Sequence, residues 1–149
     1  MKIRNRALGA LLGLVAFGVM ANVAVAADRP YTEGTVSVVN SIRTEPGMFS
    51  AYMKYLSTTY KQLMEENKKA GNIVDYAVYQ ATPRGPNDPD LYLVVTYKNM
   101  AAFDGLSERM DVVQEKIVGS QDVQNAKMIE RGKMRTQLGS QMLRQLVLK

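Results

Sequence analysis

Seven residues constrain this chain more than any others: Leu91 to Tyr97, LYLVVTY, a nearly unbroken apolar and β-favouring run. A turn-rich loop precedes it, with Pro83, Gly85, Pro86, Asn87, Asp88 and Pro89 in quick succession. Proline removes a backbone donor and fixes φ, while Gly, Asn and Asp tolerate turn geometry, so no regular element survives there. Before the loop, Ile73–Gln80 alternates. Val74, Tyr76 and Val78 fall on one side and Asp75 and Ala77 on the other, the period of a half-exposed strand. The two runs therefore read as strands flanking a loop. A strand that is apolar on both faces must be covered on both. Helices of the same chain can cover one face. A chain of 149 residues has little left for the other, which makes a second subunit the natural cover.

The remaining segments supply the helices and outer strands. Thr35–Arg43 alternates, with Val36, Val38, Asn40 and Ile42 on one face, and reads as the first strand. Pro46-Gly47 ends it. A helix is predicted from about Met48 to Ala70, because Phe49, Tyr52, Met53, Leu56, Tyr60, Leu63 and Met64 recur at spacings of three and four. Lys68 and Lys69 suit its negative dipole end, and Gly71 follows as a stop. Asn99 is a candidate N-cap for a short turn, Met100–Phe103. Further helix is predicted from Ser107 to Gly119 and, after a kink, from Ser120 to Arg131. In the tail, Arg135–Lys149, periodicity fits strand and helix almost equally. A strand over Gln141–Leu148 is favoured because three strands would leave a sheet edge open.

The N-terminus and two missing residue types limit function. Residues 1–27 read as a secretory signal peptide: Lys2, Arg4 and Arg6, an apolar run from Ala7, then small residues with cleavage expected near Ala26/Ala27. The expected destination is the periplasm or the exterior, with a polar lead at residues 28–33, one domain at residues 34–149 and no stable membrane anchor after cleavage. Losing three cations takes the net charge from +5 to +2, too weak to mark a nucleic-acid binder. The chain has no cysteine, so neither disulfides nor a lipoprotein anchor can form. It has no histidine either, which excludes ordinary zinc sites, histidine-based nucleophile systems and histidine-ligated haem.

The predicted order, strand–helix–strand–strand–helices–strand, is an α+β, ferredoxin-like βαββαβ pattern: a four-stranded antiparallel sheet of order 4-1-3-2 with helices on one face. Val36–Ile42, Glu45-Pro46-Gly47, the Phe49/Tyr52/Leu56 helix and Tyr97-Lys98-Asn99-Met100-Ala101-Ala102-Phe103 together resemble the dimeric α/β-barrel superfamily. That group includes antibiotic biosynthesis monooxygenase-like and NIPSNAP-like proteins. The resemblance implies a homodimer paired sheet to sheet, a cavity between sheet and helices, and no required cofactor. Haem-degrading relatives use a histidine that is missing here.

Candidate ligand-binding residues are Asn40, Tyr52, Tyr60, Tyr76, Gln80 and Tyr92; tyrosine offers a rigid ring and one orienting hydroxyl. Their plain alternative is half-buried packing. Asn40, on an otherwise apolar face, needs partners and could hold a ligand carbonyl or oxyanion, or else bond a neighbouring chain or lie at a strand end. Asp88 and Asp90 lack the spacing of a calcium loop and read as turn residues. No metal site is expected. The basic run Lys127, Arg131, Lys133 and Arg135 reads as a solvated helix face, with contact to anionic lipid or an acidic partner as the alternative. Three functions fit. The first is an exported homodimer of unspecified activity that binds a small apolar or aromatic molecule. The second is a cofactor-independent monooxygenase or isomerase acting on an aromatic or polyketide-like substrate. The third is a non-catalytic envelope interaction module. An enclosed cavity above roughly 300 Å³ that holds Asn40 and at least two tyrosine hydroxyls would favour the first two, and a solid core the third.

Overall fold

The computed structural model describes residues 28–149. The signal-peptide assignment, residues 1–27, lies outside them. Strand β1 (Tyr31–Thr44) leads into helix α1 (Phe49–Tyr55), a π-helical turn (Leu56–Tyr60) and α2 (Lys61–Lys69). Strands β2 (Asp75–Gln80) and β3 (Leu91–Tyr97) follow, then a 3₁₀ turn (Met100–Phe103), α3 (Leu106–Val118), α4 (Gln121–Gly132) and β4 (Arg135–Leu148). The sheet is antiparallel throughout and ordered β2-β3-β1-β4, which is the ferredoxin-like arrangement.

β3 sits inside the sheet and alternates strictly. Leu91, Leu93, Val95 and Tyr97 are buried against the helices; Tyr92, Val94 and Thr96 are half-buried on the outer face. Its register with β1 pairs Ile42 with Leu91, Asn40 with Leu93, Val38 with Val95 and Val36 with Tyr97. These residues share the helix-covered face. One core cluster joins Ile42, Leu91 and Leu93 to Tyr52 and Leu56. A second joins Val95, Tyr97 and Ile73 to Met64. Each such side chain contributes about 1.5–3 kcal/mol by leaving water.

Several boundaries differ from the sequence reading. β1 starts at Tyr31, not Thr35, so the polar lead is partly strand. β4 starts at Arg135, not Gln141. Both extensions arise from pairing with each other, Tyr31 with Leu148 and Thr44 with Arg135, and backbone pairing needs no apolar side chain. Irregularities between Glu33 and Val36 and between Ser41 and Ile42 bend this ladder. β2 begins at Asp75; Ile73 is the core residue, while Val74 is 45% exposed. The predicted single helix contains the π turn, in which the Lys61 N–H reaches the Leu56 carbonyl. Asn99 caps the 3₁₀ turn as expected, its Oδ1 accepting from Ala102 N at 3.2 Å.

A buried amide pair fastens α2 to α3. Asn72 Nδ2 donates to Asn67 Oδ1 at 2.9 Å, Asn67 Nδ2 donates to the Leu63 carbonyl at 2.9 Å, and Arg109 Nε donates to Asn72 Oδ1 at 3.2 Å. Each buried polar group thereby finds a partner.

Candidate functional site

The helix-covered face is not filled evenly. Near the β1–β4 seam, the helix and sheet leave an open cleft of about 180 Å³. Its floor is Asn40, Ile42 and Leu93; its helix wall is Tyr52, Tyr55 and Tyr60; Arg131, Arg135 and Gln137 close the third side.

The π turn aligns the tyrosines. Tyr52, Leu56, Tyr60 and Met64 are spaced four apart. In an α-helix of 3.6 residues per turn, each such step overshoots by about 40°. Three steps would carry Met64 far off the sheet. A π turn holds more residues per turn and takes up the excess, and such turns recur at functional sites. Thr58 Oγ1 and Ser57 Oγ donate to the Lys54 carbonyl at 2.8 and 3.0 Å, occupying an acceptor that the wider turn disturbs.

The two arginines arrive from the α4–β4 junction. Arg135 lies over the Tyr52 ring at 5.8 Å and Arg131 over the Tyr55 ring at 5.7 Å. The two rings are themselves stacked, with centroids 5.9 Å apart. Arg131 Nη1 donates to Tyr55 Oη at 2.8 Å. Gln137 Nε2 donates to Asn40 Oδ1 at 3.1 Å, and Arg135 Nη1 reaches Gln137 Oε1 at 3.4 Å. Two polar atoms here are buried without a hydrogen-bond partner: Tyr60 Oη and Arg135 Nε. Burial pushes the Tyr60 phenol well above its ordinary range, with the neighbouring tyrosines Tyr52, Tyr55, Tyr76 and Tyr97 adding to it. Burial also raises Tyr52, against the Arg135 charge. Both phenols therefore stay protonated donors at physiological pH.

The structure brings three of the six candidate residues, Asn40, Tyr52 and Tyr60, together in this cleft. Tyr76 stands beside it, edge-on to Tyr60 at 6.0 Å, with its hydroxyl donated to Glu65 Oε1 at 2.7 Å. Gln80 is exposed at the end of edge strand β2. Tyr92 is on the opposite face, paired with Ser41 and Tyr79, because its place in β3 alternates with Leu91 and Leu93. A single cavity cannot contain it. The basic run is also corrected: Lys133 is exposed and paired with Glu130, but Arg131 and Arg135 turn into the cleft. Spacing four apart hinted at a shared side; only the helix-to-strand switch at Lys133–Met134 put that side against tyrosines. Tyr55 and Gln137 carried no signal. Asp88 accepts from the Arg84 and Gly85 N–H groups, and Asp90 accepts from Thr44, so both serve the loop. Among the described residues no group of acidic side chains could hold a metal ion.

A second cleft of about 180 Å³ lies beyond Tyr55 and Arg131, which line both. Its far side is amide-rich, with Gln114, Gln121, Gln124 and Asn125. Among the described residues no helix covers the outer face of the sheet. Val39, Val94, Ala77, Tyr79, Leu143 and Val147 mix there with Ser37, Ser41, Thr96 and Gln141, and the charges Arg43 and Asp75 stand at its ends.

No protein-family model matches the chain, and no curated protein matches it. Solved structures do. The crystal structure of HapK from Hahella chejuensis aligns with a TM-score of 0.50 and 13% identity, over 74% of this chain and 91% of HapK. A protein from Shewanella oneidensis aligns at 0.49 and 13% identity, over 78% and 96%. A dimeric ferredoxin-like protein from an uncultured marine organism aligns at 0.49 and 12% identity, over 79% and 98%. The likeness to HapK is one of fold.

Proposed function

We propose that this ferredoxin-like chain is an exported homodimer that binds a small aromatic molecule in the cleft between its first helix and the sheet. One observation carries the binding reading: a tyrosine-walled cleft in which Tyr60 Oη and Arg135 Nε are buried and unpartnered. A buried polar group without a partner costs about 1–3 kcal/mol, which an occupant can recover. The cleft is open and, at about 180 Å³, falls short of the enclosed ~300 Å³ cavity expected from the sequence; that volume suits a single ring. Export rests on the basic start, apolar run and small-residue site of residues 1–27. The dimer rests on the uncovered outer face, whose central strand carries Tyr92, Val94 and Thr96.

Native mass spectrometry of protein purified from the periplasm tests all three parts. The expected spectrum shows a dimer that lacks residues 1–27 and carries a co-purified small molecule. A ligand-free monomer would overturn the assignment.

A second reading, cofactor-independent oxygenase or isomerase, draws on the same donors. Asn40 and Tyr60 line one cleft, and both can donate to a ligand carbonyl that gains charge during reaction. Turnover of a bound aromatic ketone, lost in Tyr60→Phe while binding persists, would select it.

A further inference from the structure

We infer that the cleft selects an anionic occupant, an aromatic carboxylate whose ring lies along the tyrosine wall and whose head group is held by Arg135 and Arg131. This rests on the binding reading above and narrows it. Both guanidinium groups line the cleft, and neither takes part in any ion pair among the described residues. Their protein partners are neutral: a tyrosine oxygen, a glutamine oxygen and two aromatic rings. Among the described residues no acidic side chain lines the cleft. Two like charges in one partly desolvated space whose lining offers no carboxylate favour an anionic occupant; the carboxylate felt at Tyr52, Asp90, is taken up by Thr44 outside the lining.

The hydrogen-bond inventory gives the same sign. The cleft's amide oxygens are engaged, Asn40 Oδ1 by Gln137 and Gln137 Oε1 by Arg135, and so is Tyr55 Oη, by Arg131. The buried groups left over are the Arg135 Nε–H, which can only donate, and the Tyr60 hydroxyl. A carboxylate has two acceptor oxygens and no donor, and a planar guanidinium matches it in a fork geometry. A protonated amine would meet two cations and find no carboxylate. A neutral alcohol could accept from both groups but would leave both charges unanswered.

Phenylacetate, phenylethanol and phenethylammonium share a ring and chain and differ in head-group charge. Proton–nitrogen NMR titration of the purified protein with each should be followed at the Arg135 Nε–H and at the Asn40 and Gln137 amides. Phenylacetate is expected to bind about tenfold or more tighter than phenylethanol, with a shift at Arg135 Nε–H, and phenethylammonium weakest. Arg135→Gln should reduce the preference for phenylacetate, the double variant Arg131→Gln/Arg135→Gln should bring phenylacetate and phenylethanol to parity, and Arg135→Lys should keep part of the preference. Lys133→Gln, an exposed cation on the same segment, should change nothing. Equal binding of phenylacetate and phenylethanol to the unmodified protein would overturn the anionic class and leave small-molecule binding standing. A phenylacetate preference that survives both Arg135→Gln and Arg131→Gln would overturn the assignment to these residues. Silence of the cleft resonances with all three compounds would remove the binding reading and this inference with it.

Discussion

At the scale of residues, stability is concentrated in a few fully buried side chains and one polar brace. Ile42 has no exposed surface and touches both the helix and β3. Ile42→Ala should cost about 2–5 kcal/mol, seen as a lower urea midpoint with an unchanged slope. Asn72→Ala should cost about 1–3 kcal/mol despite the small change in volume, because Asn67 Oδ1 and Arg109 Nε both lose their partner. The exposed ion pairs, such as Lys133 with Glu130, weigh little beside these. Tyrosine titration makes stability fall in alkali. Burial, helped by the Glu65 carboxylate that it donates to, pushes the Tyr76 phenol up to about 12. An unfolded phenol titrates near ~10. Below that pH both states are neutral and the contribution is complete. As pH rises from there through the folded value, the unfolded chain sheds its proton first, so stability falls. Tyr76→Phe should flatten that loss in urea melts across the window without abolishing it, since Tyr52, Tyr60 and Tyr97 are raised in the same direction.

At the scale of elements, phase matters more than composition. The π turn lets a stripe spaced by fours stay on the sheet. Deleting exposed Ser57 removes the surplus residue and should leave a folded, regular helix. Deleting exposed Gln62 instead should turn Met64 and Asn67 off the core by about 100° and unfold the protein in a circular-dichroism melt. Two glycines make a second contrast. Gly119, between α3 and α4, has φ 106° and ψ −161°, a region that essentially only glycine occupies. Gly119→Ala should cost about 1–3 kcal/mol. Gly132 ends α4 with open space around it, and Gly132→Ala should add about 0.4–1 kcal/mol. Opposite shifts in melting temperature are the expected outcome.

At the scale of the whole molecule, the sheet divides two tasks. One side carries the core and the cleft. The other is covered by none of the described elements, uncharged across its middle and centred on Val39 and Val94, which pair across β1 and β3. In the proposed dimer this side meets its copy. Val94→Lys places a cation there without touching the core, so sedimentation equilibrium should change from dimer to monomer while the circular-dichroism spectrum is preserved. A dimer that withstands Val94→Lys would place the interface elsewhere, on the β1–β4 ribbon, where Leu146 and Leu148 are more than half exposed.

Local pattern alone determined the element order as far as α4, the internal place of Leu91–Tyr97, the Asn99 cap and the break at Gly119, because each depends on neighbours a few positions away; it left β4 open between strand and helix. It also marked Asn40, Tyr52 and Tyr60. What only the tertiary structure decided is which distant residues face each other. Gln137 meets Asn40 through strand pairing across the length of the domain, Arg131 and Arg135 meet two tyrosines through a helix-to-strand turn, and one position of alternation sends Tyr92 to the other face. Periodicity states which side of an element a residue occupies. Register and packing state what lies opposite, and a cleft is made of opposites.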